Sequence, residues 1–267
     1  MHHCRLKEGQ TGRCRTRKNE NGRSVSISYG LVTSLALDPI EKKPLARFCP
    51  GSKVLSVGTF GCNMDCPFCQ NASIAAACKS DVPTETLLPK DLAALAESLQ
   101  QEGNIGVAFT YNEPMIGYEY IRDAAKLVRD RGMKNVVITN GSVCRETLAE
   151  VLPYIDAFNI DLKGFTEEYY RSLGGDLTTV LDFITIAAKR SHMELTTLIV
   201  PGENDAPEEM RDLAAWVASV DPAIPLHITR FFPRRRMREK QPTDVAHMRM
   251  LAGIAKEDLE TVLLGNV

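Results

Sequence analysis

The amino-acid sequence predicts an α/β protein, built as a partial (β/α)6 TIM-like barrel with a small N-terminal β-hairpin extension. From residue 53 onwards, short runs rich in β-branched residues alternate with amphipathic helical stretches. One strand and one helix recur about every 25 to 35 residues, the spacing of βαβ units. Such units imply a parallel sheet, either open or closed into a barrel.

Six strands are predicted by their β-branched and apolar residues. They are Lys53–Val57, Ile105–Thr110, Asn135–Thr139, Ala157–Asp161, Glu194–Val200 and Pro225–Thr229. Two of the intervening helices open with a proline and end at a glycine, the usual asymmetry of helix termini. They run from Pro89 to Gly103 and from Pro114 to Gly132, and "APEEMRDLAAWVASV" predicts a third helix.

The segment before residue 53 has a different pattern. "GRSVSISYGLVTSLALDP" alternates apolar and polar residues, which predicts a small hairpin packed on the barrel edge. The tail "DLETVLLGNV" indicates a helix end followed by one short strand. We therefore expect an extension over residues 1–52 and a barrel domain over residues 53–267.

Composition excludes several function classes. The chain has 267 residues, 44% of them hydrophobic and 25% charged, as in a globular protein with a sizeable core. A net charge of −2 gives no global basic field, which argues against nucleic-acid binding. Two basic clusters, around residues 5–18 and 234–240, are interpreted as solvated surface. No apolar run approaches the roughly 18 residues of a membrane span, and the first ten residues contain no apolar signal-peptide core. We expect a cytoplasmic protein without a membrane partner.

Three cysteines follow the first barrel strand in "SVGTFGCNMDCPFCQNAS". Cys62, Cys66 and Cys69 have the spacing C-x3-C-x2-C, and a chain without an export signal keeps its thiols available for metals. Three interpretations stay open. The thiols are unrelated, or they bind zinc with a fourth ligand from Cys78 or a distant histidine, or they hold a four-iron cluster at three corners and leave one iron open. Phe68 could shield one face of such a cluster or stack on a flat ligand.

Polar side chains also follow the next two strands, at the edge where α/β ligand sites lie. Glu113, in "TYNEP", can accept a hydrogen bond from an ammonium group, although the stretch could equally be a turn before Pro114. Thr139 and Asn140, in "VITNG", offer a hydroxyl and an amide suited to a ribose or a carboxylate. An Asn-Gly turn is also common without any function.

The later strand ends continue this pattern. Asp161 and Lys163 are two residues apart and therefore point to the same side, toward the barrel interior, as a ligand site or as a buried ion pair. Asn204 and Asp205 follow the fifth strand and could bind a ligand or cap the next helix. His227, in the sixth strand, is a polar contact for a ligand or a structural histidine.

These motifs carry a resemblance. C-x3-C-x2-C with an aromatic residue before the third cysteine resembles the radical S-adenosylmethionine (SAM) superfamily. "YNEP" resembles a variant of its Gly-Gly-Glu-Pro motif, and "DLK" and "VPG" resemble motifs of pyruvate formate-lyase activating enzymes. Together with "RFFP", they are most similar to the AmmeMemoRadiSam-system radical SAM proteins, which are homologues of those enzymes.

The resemblance implies a [4Fe-4S] cluster held by Cys62, Cys66 and Cys69, whose open iron chelates SAM. It implies reductive cleavage of SAM to a 5′-deoxyadenosyl radical, with Lys163, Asp161 and His227 as catalytic residues. The implied cofactor contacts are Phe68, Asn112, Glu113, Thr139, Asn140, Asp161, Lys163, Val200 and His227. The implied partners are an electron donor such as flavodoxin or ferredoxin and a protein substrate.

Two other functions stay open, a radical SAM enzyme acting on a small molecule and a zinc-binding structural module. The family's N-terminal four-cysteine segment is reduced here to Cys4 and Cys14, and "RRRM" at residues 234–237 departs from the acidic or aromatic residues usual there. Cys49, Cys78 and Cys144 are interpreted as buried or incidental thiols.

Overall fold

The structure, a computed structural model, describes residues 2–267. Its main sheet has eight strands in the order β12-β11-β10-β9-β8-β7-β5-β4. Strands β5 and β7 to β12 are parallel, and only β4, at one edge, runs antiparallel to its neighbour. This mostly parallel sheet with covering helices is the predicted α/β partial barrel.

Twelve strands and eight α-helices are found in residues 2–267. The strands are β1 Arg17–Glu20, β2 Arg23–Ser26, β3 Leu31–Val32, β4 Ser34–Pro39, β5 Lys53–Gly58, β6 Glu85–Thr86, β7 Asn104–Phe109, β8 Lys134–Thr139, β9 Ala157–Asp161, β10 His192–Ile199, β11 Leu226–Arg230 and β12 Val262–Gly265. The helices are α1 Ala72–Ala75, α2 Pro89–Ser98, α3 Tyr118–Arg129, α4 Arg145–Val151, α5 Glu167–Ser172, α6 Leu177–Ala187, α7 Pro207–Val220 and α8 Val245–Ala255.

All six predicted barrel strands are confirmed, with their ends shifted by at most two residues. The strand expected in the tail is β12, which pairs in parallel with β11 and makes a seventh parallel strand. The helix end expected just before it lies three residues earlier than predicted, because α8 ends at Ala255. No helix formed by residues 2–267 is long and apolar enough to cross a lipid bilayer.

The hairpin predicted from "GRSVSISYGLVTSLALDP" is wrong in its position. The N-terminal hairpin instead joins β1 to β2 through Asn21 and Gly22, which both have positive φ. An Asn-Gly pair with this geometry matches the twist of a two-residue hairpin. The second half of the stretch forms β4, which pairs with β5 in the main sheet. A strand from before residue 53 therefore belongs to the barrel sheet, and the division into residues 1–52 and 53–267 stays a prediction.

Two apolar cores lie on opposite faces of the sheet. The larger one packs the helices against the convex face. The smaller one lies on the concave face, where Ile40 and Leu45 pack on Val54, Ala108 and Ala157. The chain that follows β4 therefore covers part of the concave face.

Candidate functional site

The cysteine loop, residues 59–71, leaves β5 at the carboxyl edge of the sheet. Asn112 holds its backbone, because Asn112 Nδ2 donates to Phe60 O and Gly61 O at 3.1 Å and Oδ1 accepts from Thr59 N at 3.0 Å. Cys66 is buried, and Cys62 and Cys69 are partly buried. Asn112, expected as a cofactor contact, is placed as the residue that shapes the loop.

Burial raises the pKa of all three thiols. The Glu113 carboxylate adds to the shift at Cys62, whereas the Lys163 ammonium opposes it at Cys66 and Cys69. Thiols that resist ionisation by themselves become thiolates when a cation binds them, since the cation offsets the cost of a buried charge. Three such thiols on one loop fit an iron–sulfur cluster as a donor set.

Glu113 connects the ends of β7 and β8 beneath this loop. Its carboxylate is 2% exposed and accepts from Thr139 Oγ1 at 2.6 Å, Asn140 N at 2.8 Å and Met115 N at 3.0 Å. Burial raises the pKa of Glu113 to about 7, although these three hydrogen bonds favour the ionised form. A carboxylate has roughly four acceptor positions, so one remains for an additional donor.

Asn140 brings the end of β8 to the first cysteine. Its Nδ2 lies 3.7 Å from Cys62 Sγ and donates to Asn63 Oδ1 at 2.9 Å. The Asn140 side-chain oxygen accepts from Ser142 N in a local turn. The structure therefore groups Cys62, Glu113, Thr139 and Asn140, all of which the sequence predicted as site residues.

Asp161 and Lys163, predicted either as a ligand site or as a buried ion pair, form an ion pair with 2.9 Å between Lys163 Nζ and Asp161 Oδ2. Burial disfavours the ammonium, but the Asp161 carboxylate outweighs it and raises the pKa of Lys163 well above its ordinary value. Tyr170 Oη accepts from Lys163 N at 3.0 Å and fixes the backbone there. The Lys163 ammonium also opposes the rise in the pKa of the thiols of the cysteine loop.

The loop after β10 is fastened to this pair. Asn204 Nδ2 donates to Lys163 O at 2.7 Å, and Asn204 Oδ1 accepts from Val200 N at 2.8 Å. Val200, an expected cofactor contact, is fully buried. Helix α7 begins at Pro207 after Ala206, so the expectation that Asn204 or Asp205 caps it is wrong.

His227 lies on the same sheet face as Asp161, since both are in register with Thr196. Its Nε2 is 2.6 Å from Glu194 Oε2, and this fully buried carboxylate also contacts His192 and two backbone amides of the segment after β4. Burial opposes ionisation, but these hydrogen bonds lower the pKa of Glu194 to about 2. Glu194 is thus a positioning residue for His227 that the sequence analysis did not identify.

Phe68 is 8% exposed and packs in the larger core, so its contact with a ligand stays a prediction. Cys49, Cys78 and Cys144 are interpreted from the sequence as buried or incidental thiols; Cys49 and Cys78 are exposed and Cys144 is only partly buried, so the first alternative does not hold. Among residues 2–267, no three His, Cys, Asp or Glu side chains form a group that could hold a single metal ion.

A cavity of about 480 Å³ lies beside the site, between the N-terminal segment and the loop after β8. It reaches the cysteine loop only through Asn63 and contains none of the expected SAM contacts. We therefore place the site by the thiols and the strand ends, and not by this cavity.

One buried polar atom at the site was not anticipated. Tyr169 is 5% exposed, and its hydroxyl finds no hydrogen-bond partner within residues 2–267. Burial raises the pKa of Tyr169. The charge of Lys163 acts against this increase, and the charge of Cys66 adds to it. A buried hydroxyl without a partner is costly, so this atom can accept a polar partner that the chain itself does not provide.

Comparisons with known proteins agree with this geometry. The family model described as Radical SAM superfamily matches residues 56–214. The chain is 37% identical to an uncharacterized protein of Methanocaldococcus jannaschii over 99% of this chain and 79% of that protein. It is 24% identical to the pyruvate formate-lyase-activating enzyme of Clostridium pasteurianum over 60% of this chain and 67% of that enzyme.

A solved structure gives the same fold. The crystal structure of a domain of pyruvate-formate lyase-activating enzyme from Bacteroides vulgatus has a TM-score of 0.52 and 20% identity, covering 60% of this chain and 98% of that domain. The family match includes the cysteine loop and every predicted site residue except His227.

Proposed function

The chain belongs to the radical SAM superfamily, and from this premise we propose that it holds a [4Fe-4S] cluster through Cys62, Cys66 and Cys69 and cleaves SAM reductively. Members of this superfamily are enzymes that use such a cluster together with SAM. The observation that carries the proposal is the bonded arrangement at the cysteine loop, in which Asn140 links the Glu113 carboxylate to Cys62 and Asp161 holds the Lys163 ammonium.

When bound, the cluster and SAM together supply a 5′-deoxyadenosyl radical that abstracts hydrogen. The chain's own residues bind and orient the reactants. Glu113 accepts from the ammonium of the methionyl group, and its bonds from Thr139 and Asn140 fix the direction of that acceptor. Lys163, held by Asp161, presents a positive charge to an anionic group of SAM or substrate.

We further propose that this protein activates a protein substrate, as the names of its activating-enzyme relatives suggest. Asp161, Lys163 and His227 share the concave face and are the side chains that contact the reacting groups. An electron donor such as flavodoxin or ferredoxin would supply the electron that each cleavage needs.

The test is anaerobic reconstitution with iron and sulfide, followed by electron paramagnetic resonance and product analysis after adding reductant and SAM. We expect about four iron atoms per chain and 5′-deoxyadenosine as product. The bound iron and the 5′-deoxyadenosine should both be lost in three variants, Cys62→Ala, Cys66→Ala and Cys69→Ala. The control is Cys78→Ala, at an exposed thiol just after the cysteine loop, and it should keep both the iron and the product. Methylthioadenosine would show that a different carbon–sulfur bond breaks. Bound zinc without an iron–sulfur spectrum would contradict the proposal.

A further inference from the structure

The basic segment, residues 230–240, follows β11 and lies directly on the cysteine loop. Arg235 Nη1 donates to Cys66 O and Arg235 Nη2 to Asp65 Oδ1, both at 2.7 Å. Arg236 donates to Asp65 O and Asp65 Oδ2 through its side chain, and to Pro67 O through its backbone. This exposed segment is therefore in direct contact with the backbone of a predicted cluster ligand.

The surface made by this segment is positively charged although the chain as a whole has a net charge of −2. Two of its arginines share one carboxylate, Asp65, and Lys240 pairs with Glu203. Within residues 2–267, Arg234 and Arg238 form no ion pair, and both are exposed. Counting six cations in the segment against Asp65, Glu203 and Glu239 gives a local formal charge of +3.

An exposed aromatic side chain lies within this charged surface. Phe232 is 42% exposed, and the Arg230 guanidinium lies 5.1 Å from the centre of its ring. Arginine and aromatic side chains are the types that most often carry the binding energy of protein interfaces. Phe232 thus offers an exposed apolar anchor beside the cationic Arg230.

We propose that the basic segment is the docking surface for an acidic one-electron carrier protein. This inference rests on the proposed function, which requires one electron from outside for every cleavage. Positive charge that has no partner on this chain steers an acidic partner toward the surface. On transfer the carrier is oxidised by one electron and the cluster is reduced by one, and no atom is exchanged.

The position of Arg235 explains why this surface serves the cluster better than another face. Its guanidinium reaches the Cys66 carbonyl from the exposed segment. A carrier that rests on Arg234 and Arg238 lies next to Arg235 and Arg236 in the chain, and these two side chains contact the cysteine loop directly. Docking here therefore brings the two redox groups close together.

The experiment uses the cluster-loaded protein with Arg234→Glu and Arg238→Glu combined. The matched control combines Lys189→Glu and Lys256→Glu, two exposed lysines that precede β10 and β12 at the amino edge of the sheet. Both variants change the net charge equally. The probe is reduced flavodoxin, an acidic flavoprotein, and its affinity is measured by calorimetry and its rate of cluster reduction by stopped-flow absorbance.

We expect the arginine variant to lose about tenfold in affinity and in reduction rate at low salt, since charge reversal acts mainly on association. The control should behave as the wild type, and added salt should remove the difference between them. Reduction by photoreduced deazaflavin, a small reductant, should be unchanged in all three proteins.

Equal affinity and rate in the arginine variant and the control would overturn the docking proposal. So would a variant that accepts electrons normally but no longer acts on its substrate, because the surface would then belong to an acidic substrate. Failure of the proposed function is separable, since it would show as no SAM cleavage with photoreduced deazaflavin in the wild type.

Discussion

The Glu113 carboxylate lies 2.6 Å from the Thr139 hydroxyl and is almost completely shielded from water. This contact fastens β7 to β8 beneath the cysteine loop. Glu113 also makes the protein sensitive to pH, because burial raises the pKa of Glu113 to about 7 from an ordinary value near 4.5.

Glu113 should make the cluster-free protein less stable as the pH rises. Between pH 4.5 and 7 the folded state holds the proton and the unfolded state does not, so this stabilisation is complete below about pH 4.5 and lost as the pH approaches 7. The free energy of unfolding should fall by about 3 kcal/mol over this window relative to Glu113→Gln. Urea denaturation of both proteins at several pH values measures it. Parallel pH profiles would contradict the assignment.

The same carboxylate should make SAM binding depend on pH in the opposite direction. Binding an ammonium requires ionised Glu113, so the affinity of the cluster-loaded protein for SAM should rise with pH up to about 7 and then level off. Calorimetry in two buffers of different ionisation enthalpy should detect proton release near pH 6. Binding without proton release would remove Glu113 from the SAM site.

Much of the fold could be predicted because the barrel strands are short apolar runs between clear helix signals. The N-terminal hairpin could not be placed because the alternating residues of β2 continue toward β4, whereas the turn at Asn21-Gly22 lies earlier, between β1 and β2. A turn pair of this type was a usable signal. Strand pairing beyond a turn depends on tertiary contacts that alternation does not encode.

The site was predicted by residue type, which does not predict the hydrogen bonds that the site residues make within the chain. Asn112 follows β7 among site residues, yet it binds the loop backbone. Glu194 is a single acid within an apolar strand, which was a signal for a buried partner such as His227. Tyr169 gave no signal, because nothing in a helix sequence distinguishes a tyrosine whose hydroxyl is left unpaired.

Lys163 should matter for ligand binding and not for the cluster. Lys163→Met removes the ammonium while keeping the length of the side chain. Because a charge-assisted contact contributes about 1.5 kcal/mol or more, its loss should raise the Kd for SAM about tenfold. Calorimetry measures the Kd, and iron analysis should give the wild-type content. Asp161→Asn is the companion variant, which keeps the ammonium but loses its charged partner. Lost iron in either variant would place the pair in cluster assembly.

The neighbouring tyrosines Tyr169 and Tyr170 should respond oppositely to loss of the hydroxyl. Tyr169→Phe removes a buried hydroxyl without a partner and should stabilise the cluster-free protein by about 1 kcal/mol. Tyr170→Phe leaves the backbone amide of Lys163 without its acceptor and should destabilise it by about 1 to 3 kcal/mol. Urea denaturation compares them. Destabilisation of the same size in both would show that Tyr169 has a partner.

Gly61 should be the position at which the cysteine loop tolerates a side chain least. It has φ of +82°, and a Cβ there would lie 2.4 Å from Cys14 O and 2.5 Å from Thr16 Cγ2. Gly103 has φ of +91° and no atom within 4 Å of the same position, so it is the matched control. Gly103→Ala should cost about 1 to 2 kcal/mol from backbone strain.

Gly61→Ala should cost about 1 to 3 kcal/mol more than this control, because the N-terminal segment must also move off the loop. Urea denaturation of the cluster-free proteins gives both free energies. The difference in the free energy of unfolding between the two variants measures how strongly residues 14–16 are held against the cysteine loop. Equal losses of stability would mean that residues 14–16 move away from the loop at no cost. Proteolysis near Cys14 gives an independent readout, since a displaced segment should be cut faster in Gly61→Ala but not in Gly103→Ala.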